Sequence, residues 1–201
     1  MSSSSYDIVL LPTRGISQKA LELSAYLEKY GTFFTLDEQN YYPHLSLYML
    51  QLNKGGLLTA LDLLSELTSL VSGITAKAHE YHYSHDYLDV EYTKTHELEE
   101  LQKRVILNLN PLRDGLREND KKRLETSTGE ERENILKYGY RSIGPQFAPH
   151  LTFTRFRNTQ PKILSELPPP SIFSGTYTSL GIFEMGDHGT CTEPVRIWKL
   201  K

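Results

Sequence analysis

Two five-residue stretches of this chain are nearly the same: Pro43-His44-Leu45-Ser46-Leu47 and Pro149-His150-Leu151-Thr152-Phe153. Each sets an imidazole and a hydroxyl two positions apart inside an apolar frame. Alternate side chains of a β-strand share a face, so His44 would stand beside Ser46 and His150 beside Thr152. The pairing suits acid–base work on a phosphodiester. A base must take a proton from the attacking oxygen, an acid must protonate the departing one, and imidazole does either near neutral pH. The two hydroxyls can donate hydrogen bonds to the non-bridging oxygens as charge builds there. Such chemistry requires neither a metal nor an organic cofactor, and it makes His44, His150, Ser46 and Thr152 the candidate catalytic residues.

The bare pattern His-x-Ser/Thr carries little weight. With 7 histidines and 34 serines and threonines in 201 residues, roughly one match arises by chance. The chain has two further copies, His82-Tyr83-Ser84 and His188-Gly189-Thr190. These lack the Pro-His-Leu frame: His82 lies in a run of histidine and tyrosine, His188 between Gly186 and Gly189. The signal is the longer frame, occurring twice.

The elements that must position these residues follow from periodicity and punctuation. Asp7–Leu11 is a short apolar run closed by Pro12 and reads as a buried strand, followed by a helix over Gln18–Tyr30 with Ser17 as its cap and Gly31 at its end. Phe33–Leu36 is β-prone, and Tyr41–Leu50 carries the first motif. After a turn at Asn53–Gly56, Leu57, Leu61, Leu64 and Leu67 recur at helical spacing up to Val71. Ile74–Tyr83 and Tyr87–Tyr92 predict a hairpin, and Leu98, Leu101, Val105 and Leu109 stripe a helix over His96–Leu109. Asn110–Ile143 is charged, poor in apolar residues and broken by Pro111 and glycines, which predicts an insert with one or two exposed helices. Ala148–Phe156 carries the second motif, Gln160–Glu166 predicts a short helix, and Phe173–Met185 and Val195–Leu200 close the chain as strands. That order predicts an α+β fold, antiparallel sheets with helices outside.

Composition bounds the rest. A chain of this length, 38% apolar and 23% charged, suits one compact domain over residues 1–201. No apolar run reaches the length of a membrane span, and Met1–Ser5 does not read as a signal peptide. A single cysteine, Cys191, excludes an internal disulfide, reads as an inert thiol and fits a reducing, cytoplasmic setting. Net charge is −3, so any nucleic-acid partner would be gripped locally. His79, His82 and His85 with Asp86 alternate across strand faces and do not read as a metal site.

The duplicated frame, on strands of an α+β chain of this length, resembles the 2H phosphoesterase superfamily, which includes 2′-5′ RNA ligase-like and 2′,3′-cyclic phosphodiesterase proteins. The resemblance implies two lobes related by a pseudo-twofold axis, each giving one motif strand to a central cleft. It implies metal-independent hydrolysis of a cyclic phosphate on a nucleotide or RNA terminus, with His44–Ser46 and His150–Thr152 as the two motifs. A 2′-5′ ligase or 2′-5′ phosphodiesterase activity, and a non-catalytic RNA- or nucleotide-binding module, are the alternatives; a monomer is the expected state. Further candidates surround the motifs. Tyr48, on the face of His44 by strand alternation, and Tyr42 could stack on a base or ribose. Phe33 and Phe34 read equally well as core. Arg155 could contact phosphate but falls on the face away from His150 in a regular strand, unless a bulge reverses it. Arg14, Lys137, Tyr138, Tyr140 and Arg141 read as solvated loop rather than cleft rim.

Overall fold

The computed structural model describes residues 3–160 and 162–201. The elements run β1 (Ser4–Pro12), α1 (Arg14–Leu27), β2 (Leu45–Leu52), α2 (Lys54–Thr68), β3 (Ile74–Ala76), β4 (Ala78–Ser84), β5 (Tyr87–Tyr92) and α3 (His96–Leu109). They continue with α4 (Glu118–Leu124), α5 (Gly129–Tyr138), β6 (His150–Arg155), β7 (Gly175–Met185) and β8 (Cys191–Lys199), joined by short 3₁₀ turns. The fold is α+β with two antiparallel sheets. One runs β2-β1-β7, with β3 and β8 pairing along the far edge of β7; the other runs β4-β5-β6. The two motif strands, β2 and β6, are each an edge strand of one sheet. No helix among the described residues is long and apolar enough to cross a membrane.

Several boundaries differ from the sequence expectation, each for a local reason. α1 begins at Arg14 after Thr13, so Ser17 lies inside the helix and is buried rather than capping it. The helix tightens into a 3₁₀ turn at Glu28–Tyr30 and stops at Gly31, whose φ of 79° a side chain would resist. The glycines of Asn53–Gly56 do not make a turn: Asn53 caps α2 by accepting from the Gly56 amide at 3.0 Å, and the helix starts at Lys54. The long strand expected at Ile74–Tyr83 splits at Lys77, where the chain passes from one sheet to the other. Phe33–Leu36 forms no strand; a single bridge, Thr32 to Phe156, ties that stretch to the end of β6.

One irregularity occurs twice and sets the geometry of both motifs. In β2, Ser46 pairs with Val9 and Tyr48 with Ile8, so Leu47 is an extra residue without a partner. In β6, Thr152 pairs with Asp89 and Thr154 with Leu88, so Phe153 is extra in the same way. Each is a one-residue β-bulge directly after the motif hydroxyl. A bulged residue takes its carbonyl out of the ladder, and a buried carbonyl needs a donor. Helix side chains supply them. Gln102 of α3 donates to the Leu47 carbonyl at 3.0 Å, and Ser24 of α1 donates to the Phe153 carbonyl at 2.8 Å. Both helices also pack apolar faces into the core, Leu98, Leu101, Val105 and Leu109 from α3 and Ile16, Ala20, Leu23 and Leu27 from α1.

Candidate active site

Cross-strand partners of a sheet share a face, which fixes where each motif side chain points. Ser46 lies on the face of Val9 and, one pair on, of Asp7, while Tyr48 lies on the opposite face with Ile8. Thr152 shares its face with Asp89, His150 with Glu91 and Arg155 with Tyr87. The bulges thus overturn two assignments that simple alternation makes. Tyr48 leaves the face of His44 and Ser46 and is fully buried, its hydroxyl donating to the Tyr138 carbonyl at 2.7 Å. A side chain held in this way belongs to the core. Arg155, by contrast, comes onto the face of His150 and Thr152.

The two histidines are held alike. His44 Nδ1 lies 2.7 Å from the carbonyl of Tyr42, and His150 Nδ1 lies 2.8 Å from that of Ala148, each two residues back. A carbonyl only accepts, so in each ring Nδ1 carries the proton and Nε2 is left for chemistry. His44 is nearly enclosed. Burial, opposed by the Tyr42 carbonyl and reinforced by the charge of nearby His150, pushes its pKa down to about 4, which keeps the ring neutral at neutral pH.

A small cavity opens beside them, walled by Phe34, Leu36, Tyr42, His44, Thr152 and His188 among others. Ser46 and His150 are not among its walls. Tyr42, a sequence candidate, reaches this cavity and packs its ring against Phe183 at 5.1 Å. His188 belongs to the fourth His-x-Ser/Thr copy, which lacks the frame, and it stands here at a strained φ of 62°. Arg155 donates from Nη1 to His188 Nδ1 at 3.0 Å, and its charge adds to burial in lowering the pKa of that ring. The guanidinium groups of Arg155 and Arg157 also lie 5.4 and 4.7 Å from the ring of Phe33, which is 38% exposed. Arg155 Nε is buried without a hydrogen-bond partner among the described residues.

Beneath His44 sits a carboxylate that the sequence reading missed. Asp7 is fully buried; its Oδ2 is 2.6 Å from Ser46 Oγ, 3.8 Å from His44 Nε2 and 3.9 Å from Cys191 Sγ, and its Oδ1 has no hydrogen-bond partner among the described residues. Burial drives its pKa up to about 7, against the hydrogen bond from Ser46 and the charge of Arg117. In the sequence Asp7 stands at the edge of the apolar run Ile-Val-Leu-Leu; the structure begins the strand at Ser4, which places the acid in the interior.

The remaining candidates are scattered. Tyr140 is buried, with Asp7 and Arg117 close enough for their charges to act on it; Arg141 is exposed beside Glu131, and Lys137 and Arg14 are exposed. Among the described residues, two sets of donors converge within 4.8 Å, Asp7–His44–Cys191 and the surface set His79–Glu80–Glu91. In the first, Ser46 already occupies Asp7 Oδ2 and burial holds the Cys191 thiol well above its ordinary pKa, against the thiolate a metal needs. His85 sits apart in the β4–β5 turn.

No protein-family model and no curated protein matches the chain. Solved structures do match. E. coli LigT complexed with ATP is 14% identical, covering 100% of this chain and 99% of its own, with a TM-score of 0.60; LigT has also been solved with phosphate and with 3′-AMP. The protein TT0787 of Thermus thermophilus is 14% identical over 98% of this chain and 97% of its own, with a TM-score of 0.64. A structure described as a phosphoesterase is 13% identical over 100% and 99%, with a TM-score of 0.58. The likeness is one of fold, end to end.

Proposed function

We propose that this chain is a 2H-type phosphoesterase that opens a 2′,3′-cyclic phosphate on a nucleoside or RNA end to a monophosphate, without a metal. One observation carries the reading: two Pro-His-Leu-hydroxyl segments lie on the edge strands of two sheets, each histidine anchored through Nδ1 to the carbonyl two residues back and each hydroxyl followed by a one-residue bulge. The duplicated anchoring presents two free Nε2 atoms, which is what base and acid require. The end-to-end likeness in fold to LigT, solved with phosphate and 3′-AMP, supports a nucleotide as substrate.

In this mechanism His44 Nε2 takes a proton from water as the water oxygen attacks phosphorus. His150, protonated on both nitrogens, gives its Nε2 proton to the ribose oxygen as the P–O bond breaks. The low pKa of His44 holds it in the form that accepts a proton, and an incoming phosphate anion raises its basicity by charge. Thr152, in the cavity wall, donates to a non-bridging oxygen, Arg155 faces the developing charge, and Tyr42 offers its ring to the ribose or base.

The test is hydrolysis of 2′,3′-cyclic AMP by purified protein in EDTA. Turnover should survive the chelator, and His44→Ala or His150→Ala should lower kcat/KM by about 10²–10⁴-fold, the usual worth of a general acid or base. Tight binding of the cyclic nucleotide with no product at long incubation would instead assign a binding module.

A further inference from the structure

The hydroxyl of the motif serine meets a buried acid, and the direction of that hydrogen bond decides what the serine can do. We propose that Asp7 is a positioning residue that works in its protonated form: its Oδ2–H donates to Ser46 Oγ and so frees the Ser46 hydroxyl hydrogen for an oxygen of a bound phosphoryl group. The inference rests on the phosphoesterase reading. A hydroxyl has one hydrogen. If Asp7 is ionised it takes that hydrogen, and Ser46 offers an anion only lone pairs. If Asp7 is protonated the bond reverses at the same 2.6 Å separation, and Ser46 becomes a donor.

The surroundings favour the protonated form once an anion is present. Asp7 is fully buried in β1, and Oδ1 accepts nothing, so the negative charge is poorly served. The titratable groups around it are His44 beside β2, Cys191 of β8, Tyr140 after α5 and Arg117 before α4. Only Arg117 carries a permanent positive charge, and its Nε is committed to Asp120 Oδ2 at 2.6 Å. A tetrahedral anion in the cleft adds a negative charge nearby and draws one proton from solvent onto the carboxyl. The same proton serves His44. A negative charge on Asp7, 3.8 Å from Nε2, would favour the imidazolium form of His44, whereas the neutral acid leaves that nitrogen to act as base.

The test uses the full chain and inorganic sulfate, a tetrahedral anion whose charge is fixed across neutral pH. Infrared difference spectra on adding sulfate at about pH 8, above the pKa of Asp7 before an anion binds, should show the C=O stretch of a protonated carboxylic acid. The band should vanish in Asp7→Asn, which lacks the carboxyl, whereas Ser46→Ala, which loses the hydrogen bond that lowers the Asp7 pKa, should keep the acid protonated and bind sulfate more weakly. Sulfate affinity of the wild type should weaken as pH rises from about 7, by up to tenfold per unit more than in Asp7→Asn. Sulfate bound without the band, a band that persists in Asp7→Asn, or no sulfate binding at all would overturn the proposal. Turnover of the cyclic nucleotide without the band removes the relay and leaves the phosphoesterase; the band without turnover does the reverse.

Discussion

At the residue scale the site is a balance between two buried titratable groups with opposite preferences. His44, its pKa pushed down to about 4, favours the folded state when neutral, so its contribution to stability is present above about pH 6.5 and is lost as pH falls through 4. Asp7, raised to about 7, contributes stability that is full below its unfolded value and lost as pH rises through 7. The two effects oppose each other across the same window, so the wild type alone would show little. Asp7→Asn separates them. The melting temperature of Asp7→Asn relative to wild type should climb by roughly 5–10 °C between about pH 4.5 and about pH 8, in differential scanning calorimetry. A difference flat across that range would mean that Asp7 is ionised throughout. The four motif residues were legible in the sequence because an imidazole and a hydroxyl in a repeated frame are chemically distinctive. Asp7 and His188 were not, since one looked like a strand boundary and the other like a turn.

At the element scale the bulges explain which side-chain directions alternation gets right and which it does not. His44, Ser46, His150 and Thr152 lie on the near side of each extra residue, so period-two reasoning holds for them. Tyr48 and Arg155 lie beyond it, and each sits on the face opposite to the one simple alternation gives. Hydropathy cannot reveal such an insertion when both faces are covered: Leu45, Ser46, Leu47 and Tyr48 are all buried, so no pattern breaks at Leu47. By contrast the helix expected over His96–Leu109 matches α3 to the residue, because Leu98, Leu101, Val105 and Leu109 stripe one buried face; the Thr95 cap at its start is added by the structure. The bulge carbonyls lead to a prediction. Gln102→Met fills the same space but removes the donor to the carbonyls of Leu47 and Ser142, at 3.0 and 2.8 Å. It should cost about 1–3 kcal/mol in urea unfolding, the expense of leaving a buried carbonyl unmet. No loss of stability would show that the bulge does not depend on this bond.

At the scale of the whole molecule, the charged stretch between α3 and β6 is the part the sequence described least well. Its two helices are present and mostly exposed, as its composition predicts. Its start, however, is structural: Arg117 is buried, binds Asp120, reaches Met185 of β7 through Nη1 at 3.2 Å and lies 5.6 Å from the ring of Tyr140. The insert is thereby stitched to the sheet that carries the first motif, with its cation near Asp7. Nothing in Arg117-Glu118-Asn119-Asp120 distinguishes a buried pair from a solvated one, since charge density alone is what hydropathy reads. Arg117→Ala leaves buried Asp120 with only the longer contact from Arg123, 3.7 Å from Oδ1, and should destabilise the protein by about 3 kcal/mol, read as a shift in the urea midpoint. An unchanged midpoint would make the insert an independent appendage.

The central claim is that two histidines, one from each sheet, act together on one phosphate without a metal. Steady-state kcat/KM for 2′,3′-cyclic AMP in EDTA, measured for wild type, His44→Ala, His150→Ala and the double variant, tests it most directly. Residues that act as one unit are strongly non-additive, so each single variant should fall by about 10²–10⁴-fold and the double variant only slightly further. A single variant that keeps the wild-type rate, a double variant whose loss is the product of the two single losses, or a wild-type activity abolished by the chelator would contradict the account.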